Sequence, residues 1–314
     1  MAFKRTIFHD QIRNNIRSTY LLIIGFILFF TVFIYAVGIV VSTYYGDPSI
    51  AWIFLVFALL FSFISSWASY YYSDKIVIAS VGARPADPVE NELLYDLVEG
   101  LRLATGLSKA PAVYIMDDPS PNAFATGRNP EHSAIVVTRG LLERLDKYEL
   151  EGVLAHEMGH VINYDILLAT IISVLVGTVV IVSHFIWRML FWGGGGGRGR
   201  DRGGGAGMLI LLAIGIIFLI LAPIAAQIIQ LAMSRKREYL ADATAVKLTR
   251  NPEGLAGALE KIANYPYPVK TATGATAHLF IDDPLKRRRK RNWWAELFST
   301  HPDIWDRIER IRSM

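Results

Sequence analysis

Four long apolar runs interrupt an otherwise mixed chain, at about residues 20–41, 50–72, 166–187 and 208–231. Each is near or above the ~20 residues a helix needs to cross the hydrocarbon core of a bilayer. The first run is too long for a signal peptide and no Ala-x-Ala cleavage site follows it, so it is expected to be retained. Between the second and third runs the pattern changes. Residues 88–105 carry apolar positions at helical spacing, which puts Leu93, Leu94, Leu97, Val98 and Leu101 on one face. Residues 112–116 read as a short strand. Residues 122–126 and 133–138 read as a hairpin through Gly127-Arg128-Asn129-Pro130. A helix starts near Asp146, which can cap it, with Glu149 completing a capping box. No internal repeat is visible.

The expected fold class is α+β and mostly helical: four membrane-embedded helices with a water-exposed domain that carries a small antiparallel sheet. The expected organisation is a first membrane hairpin over 1–72, one part of the exposed domain over 73–165, a second hairpin over 166–231 and the rest of the domain over 232–314. Composition agrees, because 53% of the residues are hydrophobic while 19% are charged, so the apolar residues must be segregated.

Charge gives orientation. Lys4, Arg5, Arg13 and Arg17 precede the first run against Asp10 alone, and the link at 42–49 has Asp47 but no Lys or Arg. The excess of positive charge on cytoplasmic segments then places the N-terminus and the exposed domain in the cytoplasm. The loop at 188–207 is a glycine tract with Arg188, Arg198, Arg200 and Arg202. If the flanking runs both span, this basic loop lies outside, against that rule; a hairpin dipping into the membrane is the alternative. The basic run 286–291, followed by Trp293 and Trp294, suits anionic lipid headgroups better than nucleic acid, with a solvated loop as the bland alternative.

There is no cysteine, so any metal must be held by His, Asp or Glu. The helix beginning near Asp146 contains His156-Glu157-Met158-Gly159-His160. Four residues advance a helix by about 400°, so both imidazoles leave nearly the same face one turn apart, as two ligands of a tetrahedral zinc require. Glu157 can then take a proton from a water held by the metal. Glu238 is the best candidate for a third ligand. Asp242, one turn further along the same face, suits a hydrogen bond to a ligand histidine. One zinc ion per chain is expected.

With these residues in place, the chain resembles the HtpX-type membrane metalloproteases over nearly its whole length. The resemblance includes Pro121-Asn122-Ala123-Phe124-Ala125-Thr126-Gly127, Thr138-Arg139-Gly140-Leu141-Leu142 and Glu151-Gly152-Val153-Leu154-Ala155 leading into the histidine motif. It continues in Asn163, Asp165, Arg237-Glu238 to Asp242, and Ser299-Thr300-His301-Pro302 with Arg307. It implies a zincin-like, cytoplasm-facing zinc endopeptidase of the cell membrane that cleaves misfolded or damaged membrane proteins in quality control and stress response. It implies His156, His160 and Glu238 as ligands and Glu157 as catalytic base. His301 and Arg307 match a pair suited to steadying the transition-state oxyanion or regulating the site. The long basic N-terminus and the glycine-arginine tract depart from the family pattern.

Ser133, Ala134, Ile135, Val136 and Val137 form a candidate strand for pairing with an extended peptide substrate, or else an internal strand of the fold. His9, His132, His184 and His278 lack a constellation and are read as structural. A catalytically silent membrane scaffold and a zinc hydrolase of small amides remain as alternatives. A transporter is disfavoured, because the apolar runs hold almost no ionisable residue.

Overall fold

The computed structural model describes residues 8–192, 235–285 and 302–314. These fall into two compact units, one drawn from residues 1–18, 71–173 and 229–314, the other from 19–70 and 174–228. The fourth apolar run, the glycine tract from residue 193, the basic run 286–291, both following tryptophans and His301 lie outside the described residues.

The first two runs form α1 (Phe8–Tyr45) and α2 (Ser49–Ser80), each extending past its apolar stretch. No glycine or proline interrupts the polar segment before the first run, so the helix continues through it. It stops at Gly46, whose φ of 70° is left-handed. Asp47 then accepts the Ser49 N–H and starts α2. Both helices are long and apolar enough to cross a membrane. Within their unit, Gly38 leaves room for the Phe54 side chain, where a Cβ would collide. Phe30 is buried with its ring 6.0 Å from that of Phe61. Leu28, Val32, Trp52 and Phe63 point outward and are exposed, as lipid-facing positions would be.

In the other unit, β1 (Arg84–Pro85) leads to α3 (Glu92–Thr105), β2 (Ala112–Met116), β3 (Ala123–Asn129) and β4 (His132–Thr138). The short α4 (Arg139–Arg144) precedes α5 (Lys147–Ile162), and α6 covers Asp165–Trp192. α7 (Arg235–Thr249), α8 (Pro252–Asn264) and α9 (Ile304–Arg312) complete the described elements apart from a short 3-10 turn at Ala277–Leu279. The third apolar run lies in α6, which meets α5 at an 85° bend, so among the described residues two helices qualify as spans alone and a third only if that bent pair counts as one.

The sheet corrects one expectation. Its order is β1-β2-β4-β3, and β4 pairs parallel with β2 while pairing antiparallel with β3. It is mixed, not antiparallel. The hairpin between β3 and β4 is local and follows from turn chemistry, whereas the β2–β4 pairing is non-local. The near-continuous apolar run in β4, with Ala134, Ile135, Val136 and Val137 all buried, is what a strand covered on both faces requires. α3 also starts later than its pattern suggests, because Asp87 accepts the Val89 and Glu90 N–H groups and holds a turn there. Leu93 consequently faces solvent, while Leu94, Leu97, Val98 and Leu101 enter the core.

That core gathers around α5. Val153, Leu154, Ala155 and Met158 are fully buried, with α3, α7, α8 and the sheet on different sides. Close approach depends on two glycines. A Cβ on Gly152 would lie 2.6 Å from the Leu255 N of α8, and one on Gly159 would lie 3.3 Å from the Ala241 Cα of α7.

Candidate metal centre

The helix that carries the histidines is well specified. Asp146 accepts the Tyr148 and Glu149 N–H groups at 2.9 Å, and the Glu149 carboxylate accepts the Asp146 N–H at 2.8 Å, closing the capping box. Glu149 is further held by Lys261 of α8 at 2.6 Å. One turn apart on this helix, the His156 and His160 rings stand 4.8 Å apart and nearly perpendicular, with their Nε2 atoms separated by 3.2 Å. α7 supplies Glu238, whose Oε2 lies 3.8 Å from His156 Nε2 and whose Oε1 lies 3.6 Å from His160 Nε2.

Behind each histidine stands its own carboxylate. Asp242 Oδ1 is 2.9 Å from His156 Nδ1, and Asp165 Oδ2 is 3.0 Å from His160 Nδ1. An imidazole that donates Nδ1–H to a carboxylate presents an Nε2 lone pair on its other side. Two imidazole nitrogens and a carboxylate thus converge in an arrangement that suits a cation, with Arg307 Nη2 3.4 Å from His156 Nε2 and Nη1 3.6 Å from Glu238 Oε2. The spacings fit zinc: bonds of 2.0–2.1 Å in a tetrahedron put ligand atoms about 3.3 Å apart. Among the described residues, His156, His160 and Glu238 are the one such group, with ligand atoms all within 4.8 Å.

The electrostatics agree. Burial lowers the His156 imidazole, with Arg307 opposing its charge further. At His160 burial also acts downward. The Asp165 hydrogen bond and the Glu238, Asp165 and Glu157 carboxylates outweigh it and push the ring up to about 9. A field of this sign suits a metal cation as it does a proton. Burial raises Glu157 to about 7, although the nearby His160 pulls it down. The Ala125 N–H of β3 faces that carboxylate, and Glu157 Oε1 is buried with no hydrogen-bond partner. Glu157, His160, Glu238, Ala125, Arg237 and His278 line one cleft that opens to solvent.

Comparison with known proteins decides the family. The model of peptidase family M48 matches residues 88–314. A Protease HtpX homolog from Caldanaerobacter subterraneus subsp. tengcongensis is 45% identical over 311 residues, 99% of each chain. One from Thermoanaerobacter pseudethanolicus is 44% identical with the same coverage. The chain belongs to the HtpX-type proteases of peptidase family M48. A similar fold occurs in the crystal structure of S. mikatae Ste24p, with a TM-score of 0.50 at 19% identity. That match covers 88% of this chain and 61% of that one.

As an HtpX-type protease the chain is a metal-dependent peptide hydrolase with apolar helices suited to a membrane. Several sequence-predicted residues sit elsewhere than expected. Ser133, Ala134, Ile135, Val136 and Val137 belong to β4, whose two edges are taken by β2 and β3, so they cannot pair with a substrate. The strand that faces the metal centre is β3. Arg307 is buried behind the ligands: Nη2 donates to Asp242 Oδ1 at 2.7 Å, Nε to Oδ2 at 3.0 Å and Nη1 to the Ile281 carbonyl at 2.8 Å. It braces Asp242, lies with Nη1 3.6 Å from Glu238 Oε2 and is not among the residues lining that cleft.

Sequence reasoning missed the cleft positions of Arg237 and His278. His278, read as lacking a constellation, donates or accepts at Ser173 Oγ over 3.2 Å and lies 3.0 Å from the Ala169 carbonyl. It is separated from the histidine motif by more than a hundred residues, and no spacing could announce it. Asp165 was visible as a motif residue, but its bond to His160 depends on the turn after α5. There Tyr164 adopts a left-handed φ of 59° and folds Asp165 back.

Proposed function

We propose that this protease is a zinc endopeptidase of the cell membrane in which Glu157 is the catalytic base, His156, His160 and Glu238 hold the metal, and the active site faces the cytoplasm. The observation that carries it is the convergence of His156, His160 and Glu238 ligand atoms within 4.8 Å of one another, beside a buried carboxylate with an unpartnered oxygen. Zinc bound there would polarise a peptide carbonyl and acidify a water molecule towards neutrality. Glu157, raised to about 7, can take a proton from that water near physiological pH and return it to the leaving amine as the C–N bond breaks. Asp242 and Asp165 hold the two imidazoles in the tautomer that points Nε2 at the metal. A substrate backbone would run beside β3, where the Ala125 N–H already faces the reacting carboxylate.

The basic residues Lys4, Arg5, Arg13 and Arg17 ahead of the first apolar run support the cytoplasmic orientation. A protease held at a bilayer, with a peptidase body assembled from 73–165 and 232–314, suits unfolded or damaged membrane proteins as substrates. Quality control under stress is the corresponding role.

The test compares wild type and Glu157→Gln, purified in detergent with zinc, on an unfolded protein substrate. Wild type should cleave, a chelator should stop it and added zinc should restore it. Glu157→Gln should hold one zinc and lose cleavage by at least ~100-fold. Full activity in a zinc-loaded Glu157→Gln protein would remove Glu157 as the base. Zinc bound by both with cleavage by neither would favour a silent scaffold.

A further inference from the structure

One polar side chain far from the histidine motif in sequence is built into the surroundings of the metal centre. Asn15, in the second turn of α1, is only 6% exposed and belongs to the same compact unit as α5 and α7. Its Nδ2 donates to the Asn163 carbonyl at 3.1 Å and to Asp165 Oδ1 at 2.6 Å. Its Oδ1 accepts from Arg237 Nη1 at 3.1 Å. The amide orientation is dictated by its partners. Turned over, it would set its oxygen against two acceptors and its nitrogen against a guanidinium.

Asp165 uses its other oxygen on His160 Nδ1, and Arg237 immediately precedes Glu238 in α7. Asn15 therefore holds the group behind one metal ligand and the neighbour of another. Without it, Asp165 and Arg237 would be left 3.9 Å apart at their nearest polar atoms, an ion pair too long to fix either.

We propose that Asn15 is a positioning residue of the metal centre, fixing Asp165 behind His160 and Arg237 beside Glu238, so that the first turns of α1 are part of the site. The proposal rests on zinc binding at His156, His160 and Glu238. It also places a determinant of metal affinity outside residues 88–314, the segment matched by the family model.

The experiment uses the full chain in detergent, loaded with zinc, and follows the rate of zinc loss to a chromogenic chelator. The absorption band of the cobalt-substituted protein is recorded in parallel. Asn15→Asp keeps the size and the acceptor for Arg237 but replaces the donor to Asp165 with a repelling carboxylate. It should lose zinc about tenfold faster, the lower end of what outer partners of metal ligands contribute, and its cobalt band should shift. Combined with Asp165→Asn, which restores a donor–acceptor pair at this contact, Asn15→Asp should add little to the loss caused by Asp165→Asn alone.

Zinc retention and a cobalt band equal to wild type in Asn15→Asp would overturn the proposal, as would full additivity in the double variant. If Asn15→Asp does not accumulate as folded protein, Asn15→Ser carries the same test. Its hydroxyl is too short to reach both Asp165 and Arg237, and wild-type zinc retention there is equally fatal. A wild-type chain that holds no zinc would sink the metal reading itself, which the wild-type measurement reveals before any variant is compared.

Discussion

At the residue scale the site is a set of buried charges that survive only through one another. Arg307 is fully buried and held firmly protonated by Asp242, and Asp242 in turn stays ionised because Arg307 and His156 outweigh the effect of burial. Removing one member strands the other. Arg307→Met should cost about 3–5 kcal/mol, the usual penalty of an uncompensated buried charge, seen as a lowered thermal unfolding midpoint. Asp242→Asn removes the charge that faces Arg307 and sets an amide N–H against a donor, so it should lower the midpoint as well, and it should weaken zinc binding about 10–100-fold. Chelator competition checks this, and an unchanged zinc affinity would mean that His156 needs no anionic partner. The histidine motif was legible in the sequence because His156, Glu157 and His160 follow one another within about one helical turn. The roles of Arg237, His278 and Asn15 were not, because each depends on partners brought from distant segments.

At the element scale α5 is the frame, and its glycines are spacers. Gly152→Ala would push a methyl group to 2.6 Å from the Leu255 N, where backbone must move and no flexible side chain can yield. The expected cost is about 1–3 kcal/mol for overpacking, with a lowered unfolding midpoint and slower cleavage as α8 shifts. Gly100→Ala is the matched control. That residue lies within α3 with nothing within 4 Å of an added Cβ. It should instead stabilise by about 0.5–1 kcal/mol through reduced backbone freedom. Equal effects from the two substitutions would show that packing at Gly152 is not tight. The strand elements show where pattern reading ends. Turn chemistry announced the β3–β4 hairpin, but which edge β4 would lend to β2 had no local signal, so the sequence left open that β4 is an inner strand and β3 an edge.

At the scale of the whole molecule the metal should act as a fold stabiliser. An ion that binds the folded chain and not the unfolded one adds stability with the logarithm of its free concentration, about 2.7 kcal/mol at 100 times Kd. Removing zinc should lower the unfolding midpoint, and restoring it should raise the midpoint in a concentration-dependent way. Glu157→Gln should show the same dependence while lacking activity. A midpoint insensitive to zinc in both proteins would argue against the ligand set, since His156, His160 and Glu238 come from α5 and α7 and a bound ion must link them.

The sequence by itself determined the long apolar helices, the capped helix with its paired histidines, the hairpin and the pairing of Glu238 with Asp242 on one helix face. Each of these follows from periodicity, turn chemistry or spacing within a few residues. Only the tertiary structure decided the mixed order of the sheet, the burial of Arg307 behind Asp242, the return of Asp165 to His160 and the reach of Asn15 into the same network. Those depend on contacts between segments up to 222 residues apart, as between Asn15 and Arg237. Side-chain geometry and desolvation select such partners, and no local propensity encodes them.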